Sequence, residues 1–130
     1  DLNGAGGNIL EHVRAFFEKK TTEAEQHGVN KNRLCFDPGI GFGKTNEENF
    51  ALIANPEKIR VPGTALLMAA SRKRAIGAVC GNPPFEDRMA GTVAAHTASV
   101  LFGADMVRAH DTFEAVQAAR VADAIKQFRK

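Results

Sequence analysis

Tryptophan and tyrosine are absent from the 130 residues, and nine phenylalanines supply all the aromatic content. Cysteine is scarce as well, with only Cys35 and Cys80. Two cysteines cannot build a disulfide scaffold, and both sit inside apolar stretches, apart from any metal-ligand spacing. They are expected as buried thiols of a chain kept in a reducing compartment. No excess of charge of either sign stands out. The 17 Lys and Arg residues against 15 Asp and Glu leave a net +2, too mild to imply a nucleic-acid or membrane partner. No apolar run approaches the ~18 residues of a membrane span. The first residues, Asp1-Leu2-Asn3-Gly4, carry neither a basic segment nor an apolar core, so no signal peptide is expected. They also lack an initiator Met, which is read as a processed or partial chain. Internal repeats and low-complexity segments are missing. What remains, 44% apolar and 25% charged residues, is the composition of a soluble globular domain, expected in the cytoplasm. A complete (β/α)8 barrel takes ~250 residues, with about 200 as the lower limit, so the chain cannot be one by itself.

Hydrophobic periodicity orders the chain as α-β-α-β-α-β-α. A helix is expected over 8–27, capped by Asn8, with Glu11 in its first turn, with Leu10, Val13, Phe16 and Phe17 at helical spacing, and with Gly28 as its stop. Leu34-Cys35-Phe36 reads as a short buried strand ending at Asp37. Thr45 and Glu48 form a capping box before a helix over about 46–55, and Pro56 marks its end or a following turn. After the Pro62-Gly63 turn, Thr64–Ala70 is a second strand ending at Ser71-Arg72-Lys73. A short helix over 73–79 and a longer one over 85–102 follow. Met106-Val107-Arg108-Ala109 is the third strand. Asp111 is expected to cap the last helix, whose buried face is read as Phe113, Val116, Val121, Ile125 and Phe128. This alternation implies parallel strands with crossover helices. Three parallel strands leave two open edges, and a parallel sheet requires helices on both faces or closure into a barrel.

Polar residues gather where each strand ends, which is where α/β folds hold their ligands. After the first strand stands Asp37-Pro38-Gly39-Ile40-Gly41-Phe42-Gly43-Lys44-Thr45, whose alternate glycines allow close backbone approach. It is neither of the familiar phosphate motifs. A P-loop needs Gly where Pro38 stands, and the dinucleotide fingerprint needs its third Gly at position 44 rather than 43. After the second strand stands Ser71-Arg72-Lys73-Arg74. Three adjacent cations are ordinarily a solvated patch, but this position favours contact with an anion or a heterocycle. After the third, Arg108 and His110 share one side of the strand, an arrangement suited to an anionic leaving group such as a diphosphate. The bland alternatives are a flexible loop, a strand-end Arg paired with a carboxylate, and a His capping a helix. His27 and His96 fall in helices and are assigned no function.

Together the three motifs, with Asn49, resemble the C-terminal signatures of the dihydropteroate synthase family, in order and spacing, from about residue 8 onward. The resemblance implies an α/β chain forming the C-terminal portion of a TIM (β/α)8 barrel, one partial pterin-binding domain over 1–130 whose three parallel strands correspond to the sixth, seventh and eighth. It implies condensation of 6-hydroxymethyl-7,8-dihydropterin diphosphate with p-aminobenzoate to dihydropteroate and diphosphate, as a transferase of folate biosynthesis and a sulfonamide target. By resemblance Asp37, Lys73 and Arg108 bind the pterin, Phe42 and Lys73 line the p-aminobenzoate site, and Arg108 and His110 hold the diphosphate. Lys73 and Arg108 act in catalysis, and Gly39, Gly41 and Gly43 shape the loop. Ser71 and Arg72 belong to the motif without an assigned ligand contact. Mg2+ is expected on the diphosphate, its ligand in the N-terminal half, so no residue here is assigned to a metal. Homodimers through C-terminal helices are allowed by the apolar residues of the helices over 85–102 and 112–128, which core packing explains equally.

The chain departs from the family pattern at Ala69, where Gly is frequent at the floor of the pterin pocket, and at Arg74, where Ser is frequent. Asp1–Gly7 has nothing like the Met-rich motif that ends an earlier strand of the family. With the first five strands absent, the isolated chain is expected to be inactive as a synthase. The competing reading is a non-catalytic pterin- or anion-binding module.

Overall fold

The computed structural model describes residues 8–130, so the readings of Asp1–Gly7 lie outside the described residues. Helix α1 spans Ile9–Gln26, opened by Asn8, whose Oδ1 accepts from the Leu10 N–H at 2.8 Å. It is closed at Gly28, where φ is +81°. Strand β1 is Cys35–Phe36. Helix α2, Asn46–Ala54, begins with the reciprocal Thr45–Glu48 capping box. Pro56 comes just after the end of α2, as expected, and occupies the first position of the following helical turn, α3, Pro56–Ile59, where its missing N–H costs nothing. Strand β2 is Ala65–Met68, α4 is Arg74–Val79, α5 is Met89–Leu101, β3 is Met106–Val107 and α6 is Thr112–Gln127.

The three strands are parallel in the order β1-β2-β3, with Phe36 opposite Leu66 and Leu67 opposite Met106. Alternation along β2 sorts its side chains. Leu66, Met68 and Ala70 are fully buried against the helices, in a core with Val13, Phe17, Leu52, Ile53 and Ile59. Ala65, Leu67 and Ala69 point the other way and are only half-buried. Among the described residues the helices therefore cover one face of the sheet. At the end of the sheet where β2 and β3 begin, Arg60 donates to the Gly103 carbonyl at 2.6 Å and pairs with Asp105, which also accepts the Leu66 N–H. The opposite end, where the strands finish, is open.

Three expectations need correction. Cys35 and Cys80 are exposed free thiols rather than buried ones. Cys35 lies on the uncovered sheet face, its Sγ 3.9 Å from the sulfur of Met106, which is also exposed. Cys80 follows the last turn of α4. The helix expected over 85–102 is two pieces. Phe85–Asp87 is a single 3-10 turn after Pro83-Pro84, and Arg88 breaks the path because its guanidinium is held by the carbonyls of Pro83 and Arg72. The large apolar residues of α6 are exposed, not buried. Phe113 and Phe128 are 71% and 79% accessible, and only Ala122 is buried. The face that meets α5 is instead a stripe of Ala115, Ala118, Ala119 and Ala122 at helical spacing, which lets the two helices pack closely.

Candidate functional site

The open end of the sheet carries a cleft of about 490 Å³ lined by Asp37, Phe42, Ser71, Lys73, Arg108 and His110, with Ala69 on its wall. Each polar group reaches it by the same route, as the first polar residues after a parallel strand.

The loop after β1 is shaped by its own backbone. The Asp37 Oδ1 accepts from the Gly39 N–H at 2.8 Å, and Oδ2 accepts no hydrogen bond among the described residues. Gly39, Gly41 and Gly43 all have positive φ. At Gly41 the freedom is required twice over, because φ is +87° and a Cβ there would lie 3.0 Å from the Lys73 stem. Its N–H is anchored by the buried Asn49 Oδ1 at 3.0 Å. The amine of Lys44 turns back into this loop and donates to the carbonyls of Gly39 and Phe42, and partial burial lowers its pKa. Lys44 is thus a tie within the loop, unlike the lysine of a P-loop, which points at phosphate.

Lys73 stands before α4 with its Nζ 4.4 Å from the centroid of Phe42, a ring that is 69% exposed. Arg108 follows β3, its backbone N–H donating to the Met68 carbonyl while its side chain is exposed in the cleft. His110 is tied twice to Ser71. The His110 N–H donates to Ser71 Oγ at 3.0 Å, and that oxygen lies 2.7 Å from His110 Nδ1.

The roles of three residues, Asp111, Arg72 and His96, were not legible from the sequence. Asp111 is at the head of α6, but its side chain makes no capping bond. It forms a two-point pair with Arg72 instead, at 2.7 and 3.2 Å. This hydrogen bonding holds the Asp111 carboxyl below, and the Arg72 guanidinium above, its ordinary pKa. Arg72 consequently faces away from the cleft. His96, unassigned by sequence, accepts the Ala70 N–H on Nε2 at 3.0 Å and fixes the end of β2. Burial lowers its pKa to about 4, so it is neutral at pH 7. The signal that could have found the first pairs is the register itself. The offset of 39 residues that sets Leu67 opposite Met106 also sets Ser71 opposite His110 and Arg72 opposite Asp111.

Comparison with known proteins covers the segments that carry these residues. The family model described as pterin binding enzyme matches residues 2–110. A dihydropteroate synthase of Synechocystis is 36% identical over 119 residues, covering 92% of this chain and 41% of the relative. The dihydropteroate synthase of Escherichia coli K12 is 34% identical over 117 residues, covering 90% and 41%. Among solved structures, dihydropteroate synthase of Xanthomonas albilineans with 4-aminobenzoic acid superposes with a TM-score of 0.87 at 36% identity, over 95% of this chain and 45% of that one. The Burkholderia cenocepacia enzyme complexed with 7,8-dihydropteroate gives 0.86 at 35% identity, over 93% and 45%. The chain thus spans less than half the length of these relatives. With a family model matched over most of its length, the chain belongs to the pterin binding enzymes, and its relatives among them are dihydropteroate synthases.

Proposed function

We propose that the chain supplies the part of a dihydropteroate synthase that carries strands six to eight of a (β/α)8 barrel, and with them half of the active site. One observation carries this reading: Asp37 after β1, Lys73 after β2, and Arg108 with His110 after β3 line a single cleft. Their chemistry suits the two substrates. The Asp37 carboxylate accepts from the ring N–H and amino group of a pterin. Lys73 donates to the pterin's acceptor atoms, and Phe42 beside it offers a ring face to p-aminobenzoate. Arg108 stacks along the pterin and, with His110, holds the diphosphate.

In the reaction the exocyclic C–O bond breaks, the electron pair leaves with the diphosphate, and a resonance-stabilised pterin cation remains. The arylamine nitrogen then bonds that carbon and loses a proton. Arg108 and His110 act where charge develops on the leaving oxygen, so their contribution is electrostatic, while Asp37, Lys73 and Phe42 position the partners. The Mg2+ implied by the family does not fit these residues alone. Among the described residues Asp37 is the one carboxylate lining the cleft, the other polar side chains there are Lys73, Arg108, His110 and a Ser71 hydroxyl already engaged by His110, and a hard cation requires several oxygen ligands. Homodimer formation and a cytoplasmic location belong to the same proposal. No helix among the described residues is long and apolar enough to cross a membrane.

Calorimetry of the purified chain with pterin diphosphate, with inorganic diphosphate and with ATP tests the reading, alongside an assay for dihydropteroate. We expect binding of the first two that is lost in Lys73→Ala and Arg108→Ala, no response to ATP, and no turnover. Turnover by the chain alone would overturn the half-site assignment. Tight pterin binding insensitive to both substitutions would sink the residue roles.

A further inference from the structure

The segments after β2 and β3 are joined by two adjacent cross-links in one register, Ser71 to His110 and Arg72 to Asp111. Arg72 is built into this junction by every polar group it has. It is one of two non-glycine residues with positive φ among the described residues, at +55°, a conformation that persists only where the surroundings enforce it. Its N–H donates to the buried Thr92 Oγ1 at 2.9 Å, and its carbonyl accepts from Arg88 at 3.1 Å. Its guanidinium forks onto Asp111 and lies 5.1 Å from the centroid of Phe85. The same Phe85 ring stands edge-on to His110, with centroids 5.2 Å apart at 87°. The ring of His110 is therefore set from two sides, by Phe85 and by Ser71.

The Ser71 bond also fixes which nitrogen of His110 carries the proton. Ser71 is buried, and Oγ already accepts from the His110 N–H. Among the described residues its own proton has one acceptor within reach, Nδ1 at 2.7 Å. Were Nδ1 to donate instead, a buried hydroxyl proton would be left unpaired. The hydroxyl thus donates to Nδ1, and the imidazole carries its proton on Nε2, the nitrogen not engaged by Ser71.

We propose that Arg72 and Asp111 are positioning residues, a two-point clamp that holds the two strand-end segments in register so that Ser71 fixes His110 as an Nε2–H donor toward an anion in the cleft. The anion's identity as a diphosphate rests on the function proposed above, whereas the clamp's hold on His110 does not.

Selective 15N-histidine labelling of the chain reads the tautomer directly, and titration with inorganic diphosphate reads its consequence. At pH 8 the wild-type His110 is expected to show an acceptor Nδ1 and a protonated Nε2. In Ser71→Ala, Arg72→Lys and Asp111→Asn the two tautomers should mix, with diphosphate Kd raised about ten-fold, the scale of one charge-assisted hydrogen bond. The Arg72→Lys/Asp111→Asn double variant should be no weaker than either single one, since both remove the same pair. An Nδ1–H tautomer in the wild type would overturn the proposal. So would Arg72→Lys and Asp111→Asn variants that melt earlier yet leave the His110 shifts and diphosphate Kd unchanged, because a purely structural pair predicts that result. A wild type that holds the Nε2–H tautomer but binds no diphosphate removes the diphosphate reading and leaves the clamp standing.

Discussion

His96 and Asp111 illustrate how a single side chain serves the site without entering it. His96 accepts a backbone N–H at the end of β2 from inside the protein, where burial lowers its pKa from 6.5 to about 4. Between these values the unfolded chain binds a proton that the folded chain excludes. Stability is therefore complete above pH 6.5 and falls as the pH drops toward 4, by about 3 kcal/mol over that window. Replacing His96→Gln keeps an acceptor but removes the titration. Chemical unfolding followed from pH 4 to pH 7 should show a flatter acid limb in that variant, and an unchanged limb would show that His96 does not set it. Asp111 was legible in the sequence as the head of a helix, by position alone. That its carboxylate turns to Arg72 depends on the strand register, which no local pattern contains.

The elements show which local signals hold and which yield. Caps and stops lie within one turn of chain, so Asn8, the Thr45–Glu48 box and Gly28 were readable from residue type and spacing. The split between Phe85–Asp87 and α5 was not, because Arg88 is drawn out of the helical path by carbonyls at Pro83 and Arg72. The cleft itself was legible for a related reason. Parallel strands must end at one side, so polar residues following each strand converge there without fine knowledge of packing. Helix α2 adds one link to this, since its buried Asn49 holds the Gly41 N–H. Asn49→Leu would strand that donor at a cost of about 1–3 kcal/mol. We expect lowered thermal stability, and pterin binding weakened more than diphosphate binding because the displaced loop carries Asp37 and Phe42. Equal weakening of both ligands would argue against that division.

For the molecule as a whole, the sequence misjudged α6. Phe113, Val116, Val121, Ile125 and Phe128 have the spacing of a buried face, yet a helix can hide only what a neighbour covers, and α5 meets the alanine stripe beside them. The large side chains are left outward, together with the uncovered sheet face around Cys35 and Met106. Apolar surface on this scale drives association. Sedimentation velocity across a concentration series should show self-association of the chain. Phe113→Glu with Phe128→Glu should shift it toward monomer while leaving diphosphate binding intact, and a monomer at every concentration would show that this face has no attraction for its own kind.

The manner in which the three strand-end segments are fastened has a mechanical consequence. The second and third are bolted to each other through Ser71–His110 and Arg72–Asp111, whereas among the described residues the hydrogen bonds of the first run only within itself and to α2. The cleft is built like a vice with one fixed jaw and one sliding jaw. A bare anion seated on Arg108 and His110 grips the fixed jaw alone and leaves amide exchange over 39–43 unchanged. A molecule long enough to reach Asp37 and Phe42 as well must draw the sliding jaw onto it, and exchange there slows.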